Sequence, residues 1–297
     1  MIPDLRRRKN ESPNNSIKAT GICPGWFSLQ GIALRLIPAL GIEMNQFEEA
    51  SRPVIYEYDD AEFVYWGKGS SFLIANSRNY YWVTAAHVLS NMGGCAGSLR
   101  IFPSDGSKIS LPFNEQYTVN KGTADDEDYK DVFMLRIDLT IFDASGDAPL
   151  VAQDLERGLL SASELKPDDE LWIIGYPAES NFIDYDCSKI SNTRSVLRAI
   201  YVGNSTSIHC HELRVETSVK IESYDGLSGS PVYYMKRLER EGEATVYPLL
   251  VGMLLRGSAS SRTAHFVSSD VLSNIVSLAG SMPNTYKAPH CQEKKRS

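Results

Sequence analysis

From Val54 onward the apolar residues come in short runs, and turn-forming residues separate one run from the next. Phe72-Leu73-Ile74 and Tyr80-Tyr81-Trp82-Val83-Thr84 flank the polar turn Asn76-Ser77-Arg78-Asn79, a hairpin signal. Leu171-Trp172-Ile173-Ile174 stops at Gly175-Tyr176-Pro177. Leu213, Val215, Thr217, Val219 and Ile221 alternate with Arg214, Glu216, Ser218 and Lys220, the period of a half-buried strand. A helical spacing occurs once, over Ser268 to Ala279, with apolar residues at 271, 272, 275, 276 and 278 behind a Ser/Asp start. Short strands cannot each bury a face alone, so they must close into barrels or stack as sheets. The expected fold class is all-β: two units, each a barrel or a sandwich, followed by a C-terminal helix.

Two series of strands carry this expectation. Val54–Tyr58, Glu62–Tyr65, Ser98–Phe102, Tyr117–Asn120 and Val132–Ile137 join the hairpin in the first, with Gly67-Lys68-Gly69-Ser70-Ser71 as a flexible turn. Residues 171–174, Ser195–Val202, 213–221, Val232–Met235 and Val246–Leu255 form the second. A linker-like stretch at about 143–168 separates them. The organisation expected is a poorly ordered N-terminal extension over 1–50, a first β-unit over 51–155, a second over 156–267, and a helix and tail over 268–297.

Composition narrows the function classes. With 42% apolar and 23% charged residues the chain is an ordinary globular one, and its net charge of −7 argues against a nucleic-acid binder. No apolar run is long enough to span a membrane. Cys23, Cys95, Cys187, Cys210 and Cys291 are scattered without a C-x-x-C pair, as in a reducing compartment; a Cys187–Cys210 disulfide stays open. A cytoplasmic protein is expected, with secretion or the periplasm as the alternative. Arg6-Arg7-Arg8-Lys9 ahead of Gly25–Ile42 only loosely matches a signal peptide, because Arg35 interrupts the apolar part. Met44, followed by strand-like sequence, is a candidate initiator.

Three stretches carry chemistry. Tyr224-Asp225-Gly226-Leu227-Ser228-Gly229-Ser230-Pro231 places a serine on a tight turn between glycines. Such a turn presents the hydroxyl on one side and converging N–H groups on the other, as acyl transfer requires. By itself it is also ordinary turn material. Val83-Thr84-Ala85-Ala86-His87 ends a strand on a histidine, a candidate base. Lys130-Asp131-Val132-Phe133-Met134-Leu135 puts a carboxylate just ahead of an apolar strand, where it can orient a histidine; Asp126 and Asp128 compete for that role.

Together T-A-A-H, D-V-F-M-L and G-L-S-G-S-P resemble the trypsin-like serine peptidases, a two-barrel family, in the order His, Asp, Ser and at family-like intervals of 44 and 97 residues. The resemblance covers about 55–280. It implies Ser228 as nucleophile, His87 as general base and acid, Asp131 as the orienting carboxylate, and the Gly226 and Ser228 N–H groups as the oxyanion hole. It implies a polypeptide substrate bound between the barrels and no metal or organic cofactor.

Two departures stand out. Leu227 occupies the place of the aspartate that pairs with a new N-terminus in digestive members, so activation by N-terminal cleavage is not expected. No cysteine lies beside His87 or in the Ser228 turn. With Gly229-Ser230-Pro231, these features look more like the bacterial branch, glutamyl endopeptidases and HtrA-type domains, and no PDZ-type module follows.

For specificity, the resemblance puts Glu222 at the floor of the first pocket and Leu254-Leu255-Arg256-Gly257 along its wall. An acidic floor favours Lys or Arg at the cleaved residue; the other reading is an exposed glutamate after a strand. Arg256 either repels basic residues or pairs with Glu222. His265 is similar to the histidine that reads glutamate in glutamyl endopeptidases, but falls only near the pocket. His209-Cys210-His211-Glu212 puts two rings on one strand face, too few ligands for a metal. The reading that follows is a serine endopeptidase. Its alternatives are a catalytically lapsed binding or regulatory protein, an esterase with the same triad, or a signalling or defence peptidase held off until a protein partner engages it, with residues 1–50 as a candidate regulatory arm.

Overall fold

The computed structural model describes residues 45–57, 64–90, 96–104, 107, 109–119, 128–145, 150–185, 189–216, 222–240 and 243–279. A short helix α1 (Asn45–Ala50) leads into β1 (Ser51–Glu57), β2 (Tyr65–Ala75), β3 (Tyr80–Ala85), α2 (Ala86–Ser90), β4 (Phe113–Thr118), β5 (Val132–Ile137), α3 (Leu139–Ser145) and β6 (Gln153–Asp154). The second half follows as β7 (Glu170–Gly175), β8 (Asn181–Asp184), β9 (Lys189–Asn192), β10 (Ser195–Asn204), β11 (Cys210–Val215), β12 (Pro231–Arg240), β13 (Glu243–Ser258), β14 (Thr263–Ser268) and α4 (Ser269–Ala279).

Among the described residues the first half forms a six-stranded sheet in the order β1-β2-β3-β5-β4, with β6 parallel to β2. The gap between β4 and β1 is bridged by the chain around Leu99–Ile101: Arg100 N–H donates to Ile55 O (2.8 Å) and Leu111 N–H to Ile101 O (2.7 Å). Ser98–Phe102, expected as a strand, therefore contributes a single bridge, Tyr56–Leu99. The second half closes into a barrel, β10-β11-β14-β13-β12-β7. A separate hairpin, β8–β9, packs its first strand against β2 of the first half. This is the all-β, two-sheet architecture with a C-terminal helix that the strand pattern calls for.

Local sequence accounts for the central strands. β5 is flanked on both sides, and Val132, Phe133, Met134 and Leu135 are all buried. Its near-continuous apolar run is what a strand covered on both faces needs. β7, flanked in the barrel by β10 and β12, is apolar for the same reason, with Leu171, Ile173 and Ile174 fully buried. The Asn76–Asn79 turn holds the β2–β3 hairpin: Asn76 Oδ1 accepts the N–H groups of Arg78 (3.0 Å) and Asn79 (2.8 Å).

Three features depart from the sequence expectations. Gly67–Ser71 is not a flexible turn but lies inside β2, with Ser70 and Ser71 fully buried. α3 and the β8–β9 hairpin have no clear sequence signal: α3 is only seven residues long, and the hairpin is mostly polar. Finally, α4 does not stand apart. Val271, Leu272 and Val276 bury in the same core cluster as Leu111, Ile137 and Phe142 of the first half. Ser268 Oγ accepts Asp270 N–H (3.2 Å) at the start of this helix. Leu278, placed on the apolar stripe by spacing, is 61% exposed.

Candidate active site

The two halves meet along a seam built from small residues. Ser70 on β2 and Thr84 on β3 are fully buried there. Thr84 Oγ1 donates to Ser70 O (2.7 Å), and Ser70 N–H donates across the seam to Ser228 O (3.0 Å). Gly229 fits because it has no side chain: a Cβ there would lie 2.0 Å from Ser70 O and 2.4 Å from Thr84 Oγ1. The serine turn is thus seated against β3, whose end at Ala85 leads directly into the helix that carries His87.

His87 sits in α2, directly after β3, and Asp131 immediately precedes β5, the neighbour of β3. The ladder between those strands runs to Ala85–Val132, which brings the two side chains together. Asp131 grips the histidine twice, Oδ1 accepting the backbone N–H (2.8 Å) and Oδ2 meeting ring Nδ1 (2.5 Å). Its carbonyl accepts Ala86 N–H (3.1 Å). With Nδ1 engaged, Nε2 is the nitrogen left to exchange a proton. Asp128 is occupied elsewhere, accepting from Arg256 (2.5 Å) and Ser207 Oγ (3.1 Å). Asp126 lies outside the described residues.

Gly226 and Gly229 have φ of +86° and +88°, which side-chain-bearing residues resist. Asp225 O accepts Ala178 N–H (2.8 Å), and Leu227 O accepts Ser230 N–H (3.0 Å). In a trans peptide C=O and N–H point opposite ways. These two bonds therefore turn the Gly226 and Ser228 N–H groups outward, and among the described residues neither donates to anything. Leu227 is 1% exposed and packs in the second core cluster with Leu171, Ile173 and Val251. Its burial anchors the turn in the core of the second half. Ser228 is half-buried, and among the described residues no hydrogen bond joins its hydroxyl to the His87 ring.

The residues expected to set specificity are dispersed. Glu222 is exposed, and its N–H donates to a Glu179 carboxylate oxygen (3.3 Å). Arg256 makes its ion pair with Asp128. A register shift in β13 between Leu254 and Arg256 turns Leu255 toward the seam, 2% exposed, while Leu254 stays in the barrel core. Gly257 faces Tyr224: a Cβ there would lie 2.6 Å from Tyr224 Cδ2 and 2.8 Å from Ala264 Cβ. The Tyr224 ring thus fills space beside the wall expected of the pocket. Burial raises the pKa of its hydroxyl.

His265 pairs with Arg256 across the β13–β14 ladder, its Nδ1 buried without a partner among the described residues. His209 lies in the turn before β11, φ +59°, not on the strand face that alternation assigns it, and its ring meets Tyr129 edge-on. His211 is buried with Nδ1 against Tyr201 OH (2.9 Å) and its ring stacked on Phe266. Among the described residues no group of three potential ligands is placed to hold a metal. Cys210 is buried in β11; the other four cysteines lie outside the described residues, as does Met44.

Sequence reasoning missed Ser70, Thr84 and Ala178. Ser70 reads as turn material because it follows Gly69, and Thr84 and Ala178 carry no distinguishing signal in the sequence.

No family model matches the chain, and no curated protein sequence does either. Among solved structures, a human heparin binding protein is similar at 12% identity and a TM-score of 0.52, over 82% of this chain and 96% of that one. An inactivated protease paralogue from the scabies mite has 14% identity and a TM-score of 0.47, over 80% and 96%. At such identity the likeness concerns the fold alone. With the two-sheet topology and terminal helix it defines a chymotrypsin-like, peptidase-type fold. No helix among the described residues is long and apolar enough to cross a membrane.

Proposed function

We propose that the chain is a serine endopeptidase in which Ser228, His87 and Asp131 form the catalytic triad. The observation that carries this is the pair of outward-turned N–H groups at Gly226 and Ser228, without a partner among the described residues, on a turn seated beside a histidine held twice by Asp131. Unpartnered backbone donors on a partly buried turn are unfavourable unless a ligand uses them. A developing oxyanion is such a ligand.

In the reaction, Ser228 Oγ attacks the peptide carbonyl carbon while His87 Nε2 takes its proton. Negative charge collects on the carbonyl oxygen, where the two N–H groups meet it. Asp131 holds the imidazole and stabilises its charged form. Collapse expels the amine, which receives the proton from His87. Water, deprotonated by His87, then cleaves the acyl ester and restores Ser228. A basic-residue preference through Glu222 gains no support, since that side chain is exposed. The bacterial-type likeness belongs to the same proposal, resting on Leu227 and on the Gly-Ser-Pro sequence after the nucleophile. So does a cytoplasmic setting, resting on cysteines scattered without staples.

One observation favours a second reading, a lapsed peptidase-fold binding protein: the Ser228 hydroxyl makes no bond to His87 among the described residues. Catalytic hydrogen bonds often lengthen in unliganded enzymes, so the first reading stands. A polyanion such as heparin is a poor ligand for a chain of net charge −7. A fluorophosphonate probe separates the readings. Labelling of Ser228 that is lost in His87→Ala supports the peptidase; folded protein that never labels supports the binding protein.

A further inference from the structure

Ser70 belongs to the first half of the molecule, yet most of its polar capacity is spent on the second. Its hydroxyl donates to Gly226 O (2.7 Å) and accepts Tyr176 N–H (2.8 Å). Its N–H donates to Ser228 O (3.0 Å). Only its carbonyl stays at home, accepting Thr84 Oγ1. Ser70 therefore bonds the carbonyls of the same two residues whose N–H groups point outward.

The consequence is geometric. The peptide before Gly226 is held by Ala178 N–H on Asp225 O, and the peptide after it by the Ser70 hydroxyl. The peptide before Ser228 is held through Ser230 N–H, and the one after it by Ser70 N–H. Two planes fixed on either side leave φ and ψ of each residue no freedom to rotate. The fit is also specific to a hydroxyl. Gly175, at the end of β7, leaves the room: a Cβ there would lie 2.8 Å from Ser70 Oγ and 2.0 Å from Ser230 Oγ.

We propose that Ser70 is a positioning residue of the oxyanion hole, its hydroxyl clamping Gly226 from the other half of the molecule so that the Gly226 and Ser228 N–H groups stay aimed at substrate. This rests on the peptidase reading of the site. Ser70 touches no substrate atom; it acts by holding donors that do. Its removal takes away the hydrogen bonds to Gly226 O and from Tyr176 N–H, which favours rotation of the turn.

The test compares wild type, Ser70→Ala, Ser70→Cys and Ser228→Ala in p-nitrophenyl acetate hydrolysis, in fluorophosphonate labelling of Ser228, and in amide hydrogen exchange over 224–230. Loss of an oxyanion donor costs on the order of 10²–10³ in kcat; loss of a positioning partner should cost about 10- to 100-fold. The expected result for Ser70→Ala is that fall in kcat and in labelling rate, with KM and the pH profile unchanged. Exchange should quicken over 224–230 but not in the β7–β10 ladder, and Ser70→Cys should be intermediate. A folded Ser70→Ala with wild-type kcat overturns the proposal, as does a shifted pH profile, which would place the effect on His87 instead. If Ser70→Ala does not fold, Ser70→Cys carries the same readouts. If wild type neither turns over nor labels, the peptidase reading fails. The clamp is then judged by exchange alone, and unaltered protection over 224–230 overturns it.

Discussion

Gly226→Ala tests the reasoning about the turn most directly. At φ +86° an added Cβ costs about 1–2 kcal/mol from its clash with the residue's own backbone. That Cβ would also lie 2.6 Å from both Ala178 N and Tyr176 O, backbone atoms with no rotamer to escape into. Relieving the contact means parting Asp225 O from Ala178 N–H, about 1 kcal/mol more. The unfolded chain loses conformational freedom through the same change, which offsets about 0.4–1 kcal/mol and leaves a net loss of about 2 kcal/mol. Gly203→Ala is the control: its φ is +151°, and a Cβ there meets nothing within 4 Å. The assay is urea unfolding followed by tryptophan fluorescence, since Trp82 is fully buried. The Gly226→Ala midpoint should fall further than that of Gly203→Ala by the equivalent of about 1 kcal/mol, at constant slope. Fluorophosphonate labelling of Ser228 should be lost in Gly226→Ala only. Equal midpoints for the two variants, or normal labelling in Gly226→Ala, would refute the idea that this peptide is held for a purpose.

Ser228→Ala and His87→Ala should each lower turnover by about 10⁶, and Asp131→Asn by about 10⁴, measured as initial rates against one peptide substrate. His211 has its pKa lowered, first by burial and then by the charge of His209, against an opposing effect of Asp270. The unfolded chain then takes up this proton first as pH falls, so stability is full above about 6.5 and is lost below it, down to the folded-state value. Urea midpoints at pH 8, 6 and 5 should show this loss, and His211→Gln should flatten it. The Arg256–Asp128 pair has side chains 60% and 25% exposed, so a double-mutant cycle in urea should give a coupling below about 1 kcal/mol. A coupling of about 3 kcal/mol would mean the pair is screened from water.

Much of the fold was legible because strand patterning is a local property. β3, β5, β7 and β12 lie where apolar runs and β-branched residues put them, and α4 starts at its Ser/Asp signal. The failures are equally physical. Ser98–Phe102 reads as a strand, yet its neighbours on the sheet allow one bridge. Gly67–Ser71 reads as a turn because small residues suit turns; inside β2 the same smallness admits the serine turn of the other half. His209 falls off its strand face because φ +59° starts the strand one residue later.

For the candidate site, the chain alone singled out the side chains proposed to carry acyl-transfer chemistry, since only particular residue types can act as nucleophile, base and orienting acid. It also singled out Gly226 and Gly229, because φ above zero excludes most residues. Tertiary structure decided the rest. That Asp131 rather than Asp128 holds His87 follows from the β3–β5 register. That Arg256 takes Asp128 and leaves Glu222, and that Tyr224 fills the space beside Gly257, depends on how loops from distant positions meet. Ser70, 158 residues from Ser228 in sequence, bonds both carbonyls of the turn only because two sheets close on one seam. Residue chemistry is written locally, whereas orientation is set by contacts between segments far apart in the chain, and those exist only once both halves have folded.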